Sequence, residues 1–220
     1  IISLKTGQLT GFEALIRWHH PHKNLISPGQ FNPVAEETGL IIPMGEWILK
    51  EACQQMKQWH NKFPQQSHLK IGVNLSSKQL KYTNLLNMID SILRETNLDT
   101  KSLKLEITET LLMENLQAAT EILLNIQELE IEICLDDFGT GYSSLSYLHR
   151  FPVNTLKIDR SFVMRMEPNN ENAEIVRAIV HLAHILGLDI IAEGVETELQ
   201  LEQLGCEQGQ GYFFAKPLPS

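Results

Sequence analysis

Short apolar runs alternate with helical patterns along most of the chain. The runs at residues 9–16, 69–75, 103–107, 131–136, 155–158, 189–193 and 209–214 predict strands. Between them, "EIVRAIVHLAHILG" sets Ile175, Ile179, Leu182 and Leu186 at helical spacing and ends in Gly187, a stop signal for a helix. "NLQAATEILLNIQEL" does the same with Leu116, Ala119, Leu123 and Ile126. "PGQFNPVAEETG" and "MGEWILKEACQQMKQW" place two more helices between the first two strands.

Strand–helix alternation predicts a parallel sheet. Runs such as "IGVNL" and "IIAEG" are apolar on both parities, which marks strands buried on both faces. A (β/α)8 barrel needs eight strands and the pattern supplies seven. "SLKTGQL", with a turn at Gly7, predicts a hairpin whose first strand is largely missing, residues 1–3 being its tail. No linker or repeat interrupts the pattern, so residues 1–220 read as one domain. The start at Ile1 without Met, and the stop just after Pro217 and Pro219, predict a segment of a longer protein, truncated at both ends.

Composition narrows the function classes. A formal net charge of −9 argues against a nucleic-acid polymer as partner and against a basic membrane-binding patch. It leaves room for a small anion, because bound cations reverse the local sign of an acidic site. Cys53, Cys134 and Cys206 are odd in number and widely spaced, without CxxC, so buried thiols in a reducing cytoplasm are expected. No apolar run approaches the roughly 18 residues of a membrane helix.

The chemistry lies where the predicted strands end. Glu13, Asn74, Glu106, Asp136, Asp137 and Glu193 all fall there, Arg17, Lys157, Asp159 and Glu196 lie close by, and a barrel brings strand C-termini to one face. Each polar group has an ordinary alternative. Asp136 or Asp137 could cap a helix beginning near Tyr142, Glu106 could pair with Lys104 or Lys157, Asn74 could be a turn residue, and Glu193 a loop acid. Capping alone does not account for five carboxylates in one crevice, and so much like charge calls for cations. The donors are all oxygen, which predicts Mg²⁺ or Mn²⁺ rather than zinc. Their number suggests two ions about 3.5–4 Å apart, bridged by one of the adjacent aspartates, a spacing used in phosphoester hydrolysis. His19, His20 and His22 sit in a Pro-containing loop and are left out of the ligand set. Trp18, Trp47 and Trp59 read as core or pocket wall, and His181 and His184 as a solvated helix face with Arg177.

These residues stand in motifs. Glu13-Ala14-Leu15 lies inside "GFEALIRWHHP", followed in order by "VNLSS", "LEITET", "DDFGTGYSSLSYL", "LKIDRSFV", "AEGVET" and "GQGYFFAKP". The set resembles the EAL domain family of bacterial cyclic di-GMP phosphodiesterases, over about residues 10 to 217. The resemblance implies a modified (β/α)8 TIM-like barrel with one antiparallel strand. It implies one metal on Glu13, Asn74, Glu106 and Asp136, and a second shared by Asp136 with Asp137 and Glu193. It further implies that Lys157 contacts the nucleophilic water and that Glu13, Lys157 and Glu193 carry catalysis. Leu15, Arg17, Asp159, Glu196 and Gln210 would contact substrate, and Glu109 would anchor the loop 138–144. The implied reaction opens one phosphodiester bond of cyclic di-GMP to give linear pGpG. Homodimerisation and fusion to sensory, PAS or GGDEF domains are implied as well.

No expected metal ligand is replaced, which favours an enzyme over a silent module that only binds the nucleotide or another protein. An unrelated metal-dependent barrel is a third reading, disfavoured by "DDFGTGYSSL" and "LKIDRSFV". "ETELQLEQLGC" is about a turn shorter than the family pattern, which predicts a shifted Gln210 or a tighter last helix.

Overall fold

The computed structural model describes residues 1–22, 24–140, 148–168 and 170–219. Its eight-stranded sheet runs β1 (Ile2–Ser3), β10 (Gln208–Gln210), β9 (Asp189–Glu193), β8 (Thr155–Ile158), β7 (Glu132–Phe138), β6 (Leu103–Thr108), β5 (Lys70–Asn74), β2 (Gly11–Ala14). Neighbours from β10 to β2 are parallel, and β1 pairs antiparallel with β10. Ile2 also bridges Leu9 just before β2, so the sheet nearly closes on itself. This is the expected barrel, and its antiparallel strand is the hairpin tail read from "SLKTGQL".

Helices cover the outside: α1 (Pro28–Thr38), α2 (Ile41–Lys62), α3 (Ser77–Leu80), α4 (Leu85–Thr96), α5 (Glu109–Glu114), α6 (Leu116–Glu128), α7 (Arg160–Val163), α8 (Glu171–Ile185) and α9 (Glu198–Leu204). In α8, Val176, Ile179, Val180 and Ala183 face the sheet and are buried. Asn170 caps its start by accepting from the Ala173 N–H at 2.9 Å, and Glu171 and Glu174 lie in its positive first turn. At the other end Gly187 takes φ +70, Leu188 N donates to Ala183 O and Gly187 N to His184 O. That double closure is a Schellman stop, as the glycine predicted. In α6 the same stripe logic buries Ala119, Leu123 and Ile126.

Several expectations are corrected. The predicted strand 209–214 is only Gln208–Gln210, because a Cβ at Gly211 would lie 2.2 Å from Val195 O and the chain turns there against that backbone. The predicted strand 9–16 is trimmed to Gly11–Ala14, and 131–136 runs on to Phe138. His19 and His20 are not loop residues: they belong to a small hairpin, β3 (Trp18–His20) with β4 (Asn24–Ile26). Its strands are short and mostly exposed, so no apolar alternation announced them. Trp47 is 57% exposed on α2, so it is not core, whereas Trp59 packs on Phe12 with centroids 4.7 Å apart. The helix expected near Tyr142 and the loop beyond Thr140 lie outside the described residues. Among the described residues, no helix is long and apolar enough to cross a membrane. Cys53 and Cys134 are buried and Cys206 half-buried, all as free thiols.

Candidate metal and active site

Glu106 is the deepest of the strand-end acids. It faces the barrel interior from β6, flanked by Asn74 of β5 and Cys134 of β7 in the ladder, and is fully buried. Its carboxylate fits because Gly72, two residues before Asn74 on β5, has no side chain. A Cβ at Gly72 would sit 2.1 Å from Glu106 Oε1. A lone glycine inside an apolar strand is the sequence signal for such an approach, and it went unread in "IGVN".

The adjacent aspartates raise a geometric problem, since successive strand residues point to opposite faces. The structure solves it with a bulge. Leu135 pairs with Leu156 but Phe138 pairs with Ile158, so β7 spends one extra residue. Asp137 absorbs it in the left-handed region at φ +53, a conformation aspartate tolerates better than most residues. Both carboxylates thereby reach the same crevice.

Oxygens of Glu13, Glu106 and Asp136 lie within 4.8 Å of one another, and so do oxygens of Asp136, Asp137 and Glu193. Asp136 belongs to both groups. Lys157, 1% exposed, reaches up from β8. Its Nζ donates to Glu13 Oε2 at 2.9 Å, Glu106 Oε2 at 2.9 Å and Asp136 Oδ2 at 3.4 Å. Glu13 also accepts from Asn74 Nδ2 and Gln210 Nε2, each at 2.9 Å. The short α9 therefore leaves Gln210 inside the crevice. Lys104 does not partner Glu106. It donates to Thr155 Oγ1 at 3.1 Å, nearer the other end of the barrel, with Glu132 at 3.7 Å.

These surroundings set the charges. Burial opposes ionisation of Glu13, but Lys157 and the donors of Gln210 and Asn74 outweigh it and hold the carboxyl below its usual range. Burial pushes Glu106 up to about 7, with Lys157 only partly offsetting it. Glu193 rises to about 7 through burial and the neighbouring acids, again against Lys157. Asp137 rises to about 6 through burial and the charges of Asp136 and Asp159. Asp136 is raised by burial. Burial would discharge Lys157, yet Glu106, Glu13 and Asp136 keep its pKa well above normal.

The remaining candidates border this centre. Asp159 caps α7, its Oδ1 accepting from Ser161 N at 2.9 Å. Glu109 is buried and accepts from Gly139 N at 3.4 Å, at the start of the loop it was expected to anchor. Leu15, 44% exposed, and Arg17 lie on the surface next to β2, and Arg17 Nη1 donates to Ile16 O. Glu196 is exposed, and its backbone N–H donates to Gln200 Oε1 at 2.8 Å. The structure thus brings Glu13, Asn74, Glu106, Asp136, Asp137, Lys157, Glu193 and Gln210 together, while among the described residues the side chains of Leu15, Arg17 and Glu196 show no hydrogen bond or ion pair to that cluster.

The donor set fits divalent cations. Five carboxylates face one lysine, and Glu106 Oε1 is buried with no hydrogen-bond partner. An orphaned buried carboxylate oxygen is costly unless a cation or proton meets it.

The comparisons with known proteins agree with this geometry. The EAL domain family model matches residues 1–217. The chain belongs to the EAL domain family. It is 45% identical over 217 residues to MucR of Pseudomonas aeruginosa, a bifunctional diguanylate cyclase/cyclic di-GMP phosphodiesterase, covering 97% of this chain and 31% of MucR. It is 39% identical over 222 residues to NbdA, a cyclic di-GMP phosphodiesterase of the same organism, covering all of this chain and 28% of NbdA. The chain thus spans about a third of the length of these relatives. The solved structure of the PaMucR phosphodiesterase in its c-di-GMP complex superposes with a TM-score of 0.95 at 44% identity, covering 100% of this chain and 89% of that one.

Proposed function

We propose that this chain is a metal-dependent phosphodiesterase that opens one phosphodiester bond of cyclic di-GMP to yield linear pGpG. The observation that carries the reading is the pair of carboxylate groups sharing Asp136, with Lys157 set against one of them. Family membership and relatives named for cyclic di-GMP hydrolysis supply the substrate.

Glu13, Asn74, Glu106 and Asp136 would hold one divalent cation, and Asp136, Asp137 and Glu193 a second, either Mg²⁺ or Mn²⁺. When bound, the cations supply an ionised water near neutral pH and charge stabilisation at the phosphoryl oxygens. The chain's own groups do the rest. Lys157 keeps a fixed positive charge beside the cluster and orients three carboxylates. Asn74 and Gln210 fix the rotamer of Glu13 from two sides. Protons held by Glu106, Glu193 and Asp137 leave when cations enter, so the site loads best above the range of their raised pKa values. Arg17, exposed and donating to its neighbour's carbonyl, would swing toward a substrate phosphate. Asp159 and Glu196 complete the substrate rim, and Glu109 holds the loop after β7. The reading includes a cytoplasmic setting, a homodimer, and fusion to sensory, PAS or GGDEF domains, all carried over from the family resemblance.

The test is turnover of cyclic di-GMP with Mg²⁺ or Mn²⁺ beside Glu13→Ala. The proposal expects pGpG from the parent and none from the variant. Tight binding of the nucleotide without any product would instead mark a receptor.

A further inference from the structure

Two glutamines stand where the mechanism has no use for them. Gln79 and Gln200 are almost fully buried, at 4% and 6% exposure. Each is the third helical residue after a strand that carries a candidate ligand: Gln79 follows β5 with Asn74, and Gln200 follows β9 with Glu193. Each closes a capping box, with Ser76 in one case and Thr197 in the other. A capping box accepts glutamate as readily as glutamine. On an ordinary helix that residue also lies at the surface, so burial of an amide here needs another reason.

The reason at Gln200 is its nitrogen. Oε1 accepts from Glu196 N at 2.8 Å and Thr197 N at 3.0 Å, while Nε2 donates across to Val163 O at 2.9 Å. Val163 ends α7, where a helix leaves carbonyls without partners. One side chain therefore ties the loop leaving Glu193 to the helix that follows Lys157 and is capped by Asp159. The same seam is tight elsewhere. A Cβ at Gly194 would lie 2.6 Å from Arg160 Cβ, and the next residue, Val195, is fully buried. Gln79 shares the capping box and the burial, with its amide packed on α2. Its Oε1 accepts from Ser76 N and Oγ, and its Nε2 rests so close to α2 that a Cβ at Gly45 would be 1.8 Å away.

We propose that Gln200 is a positioning residue, setting Glu193 against Asp136 and Asp137 by locking the β9 loop to α7 through Val163 O. The proposal rests on the metal-site reading given above. Groups that orient metal ligands typically change affinity by about 10–100-fold when lost.

Gln200→Glu separates positioning from capping. The carboxylate keeps both acceptor contacts of the capping box but turns an oxygen toward Val163 O, so the cross-tie is lost. Thr197→Ala does the reverse, since it removes the cap hydroxyl and leaves the Nε2–Val163 bond. The readout is Mn²⁺ titration of the full chain, followed by calorimetry and by the paramagnetic resonance of bound Mn²⁺, with thermal melting in parallel. The expected result is about a tenfold weaker second Mn²⁺ in Gln200→Glu with the first unchanged, and parent-like Mn²⁺ binding in Thr197→Ala despite a lower Tm. Gln200→Met, which keeps the volume and carries no charge, is expected to match Gln200→Glu and serves if that variant does not fold. Parent-like affinity in Gln200→Glu or Gln200→Met overturns the positioning role and leaves the metal site standing. Absence of Mn²⁺ binding in the parent protein overturns both.

Discussion

Gly72→Ala is the substitution whose sign the structure reverses. Glycine inside a strand costs roughly 0.5–1 kcal/mol relative to alanine, so local propensity expects the change to stabilise. The added Cβ would instead lie 2.1 Å from Glu106 Oε1 and 3.0 Å from its Cδ. Glu106 cannot swing into solvent, because it is fully buried and its other oxygen is bonded to Lys157 at 2.9 Å. Overpacking of a filled interior costs about 1–3 kcal/mol. Losing a buried hydrogen bond to a charged group costs about 1.5–3 kcal/mol. Set against the propensity gain, the net is a loss of about 3 kcal/mol, or about 6–12 °C in Tm for a chain of this size. The assay is thermal melting in EDTA, so that the packing term is read without cations, followed by Mn²⁺ titration of the same sample. Gly72→Ala is expected to melt lower in EDTA and to bind its first Mn²⁺ at least about tenfold more weakly. A variant that melts at or above the parent would refute the notch.

Two further predictions come from the electrostatics and the bulge. Without cations, Glu106 and Glu193 are raised to about 7 and Asp137 to about 6, so the folded protein holds protons that the unfolded chain releases near its ordinary carboxylate range. Their contribution to stability is full below that range and is lost as pH rises through 6–7. Tm in EDTA should fall from pH 5 to pH 8, Glu106→Gln should reduce the fall, and Mn²⁺ affinity should rise over the same interval; an unchanged slope in Glu106→Gln would count against this. At the bulge, Asp137→Asn keeps a residue suited to φ +53 and, compared in EDTA at pH 5 where the Asp137 carboxyl is largely protonated, should melt within about 2 °C of the parent, while at pH 8 it should melt higher because the buried charge beside Asp136 is gone. Asp137→Val should lose about 1–2 kcal/mol from the left-handed backbone alone, and equal melting of the two variants would argue against a strained bulge.

Much of the site could be read from the sequence because strand ends converge in a barrel whatever the details of its helices. Glu13, Glu106, Asp136 and Glu193 needed only strand positions, and these held within a few residues. What failed were features set by backbone approach rather than by periodicity. The run "GQGYFF" looks like a strand until Gly211 meets the Val195 backbone. The hairpin of Trp18 and His20 is too short and too exposed to alternate. The bulge that aims both Asp136 and Asp137 inward leaves no pattern beyond the aspartates themselves. Gly72, Gln79 and Gln200 carried readable signals, a lone strand glycine and two S/T-x-x-Q boxes. Their meaning needed the atoms on the far side: Glu106 Oε1, Gly45 and Val163 O.

The central claim is that Asp136 is shared between two cation sites. Anomalous diffraction from crystals grown with Mn²⁺ tests it most directly. The account predicts two manganese peaks at the strand C-termini, both touching Asp136, one with Glu13 and Glu106 and the other with Asp137 and Glu193. A single peak, or two peaks that do not share Asp136, would contradict it.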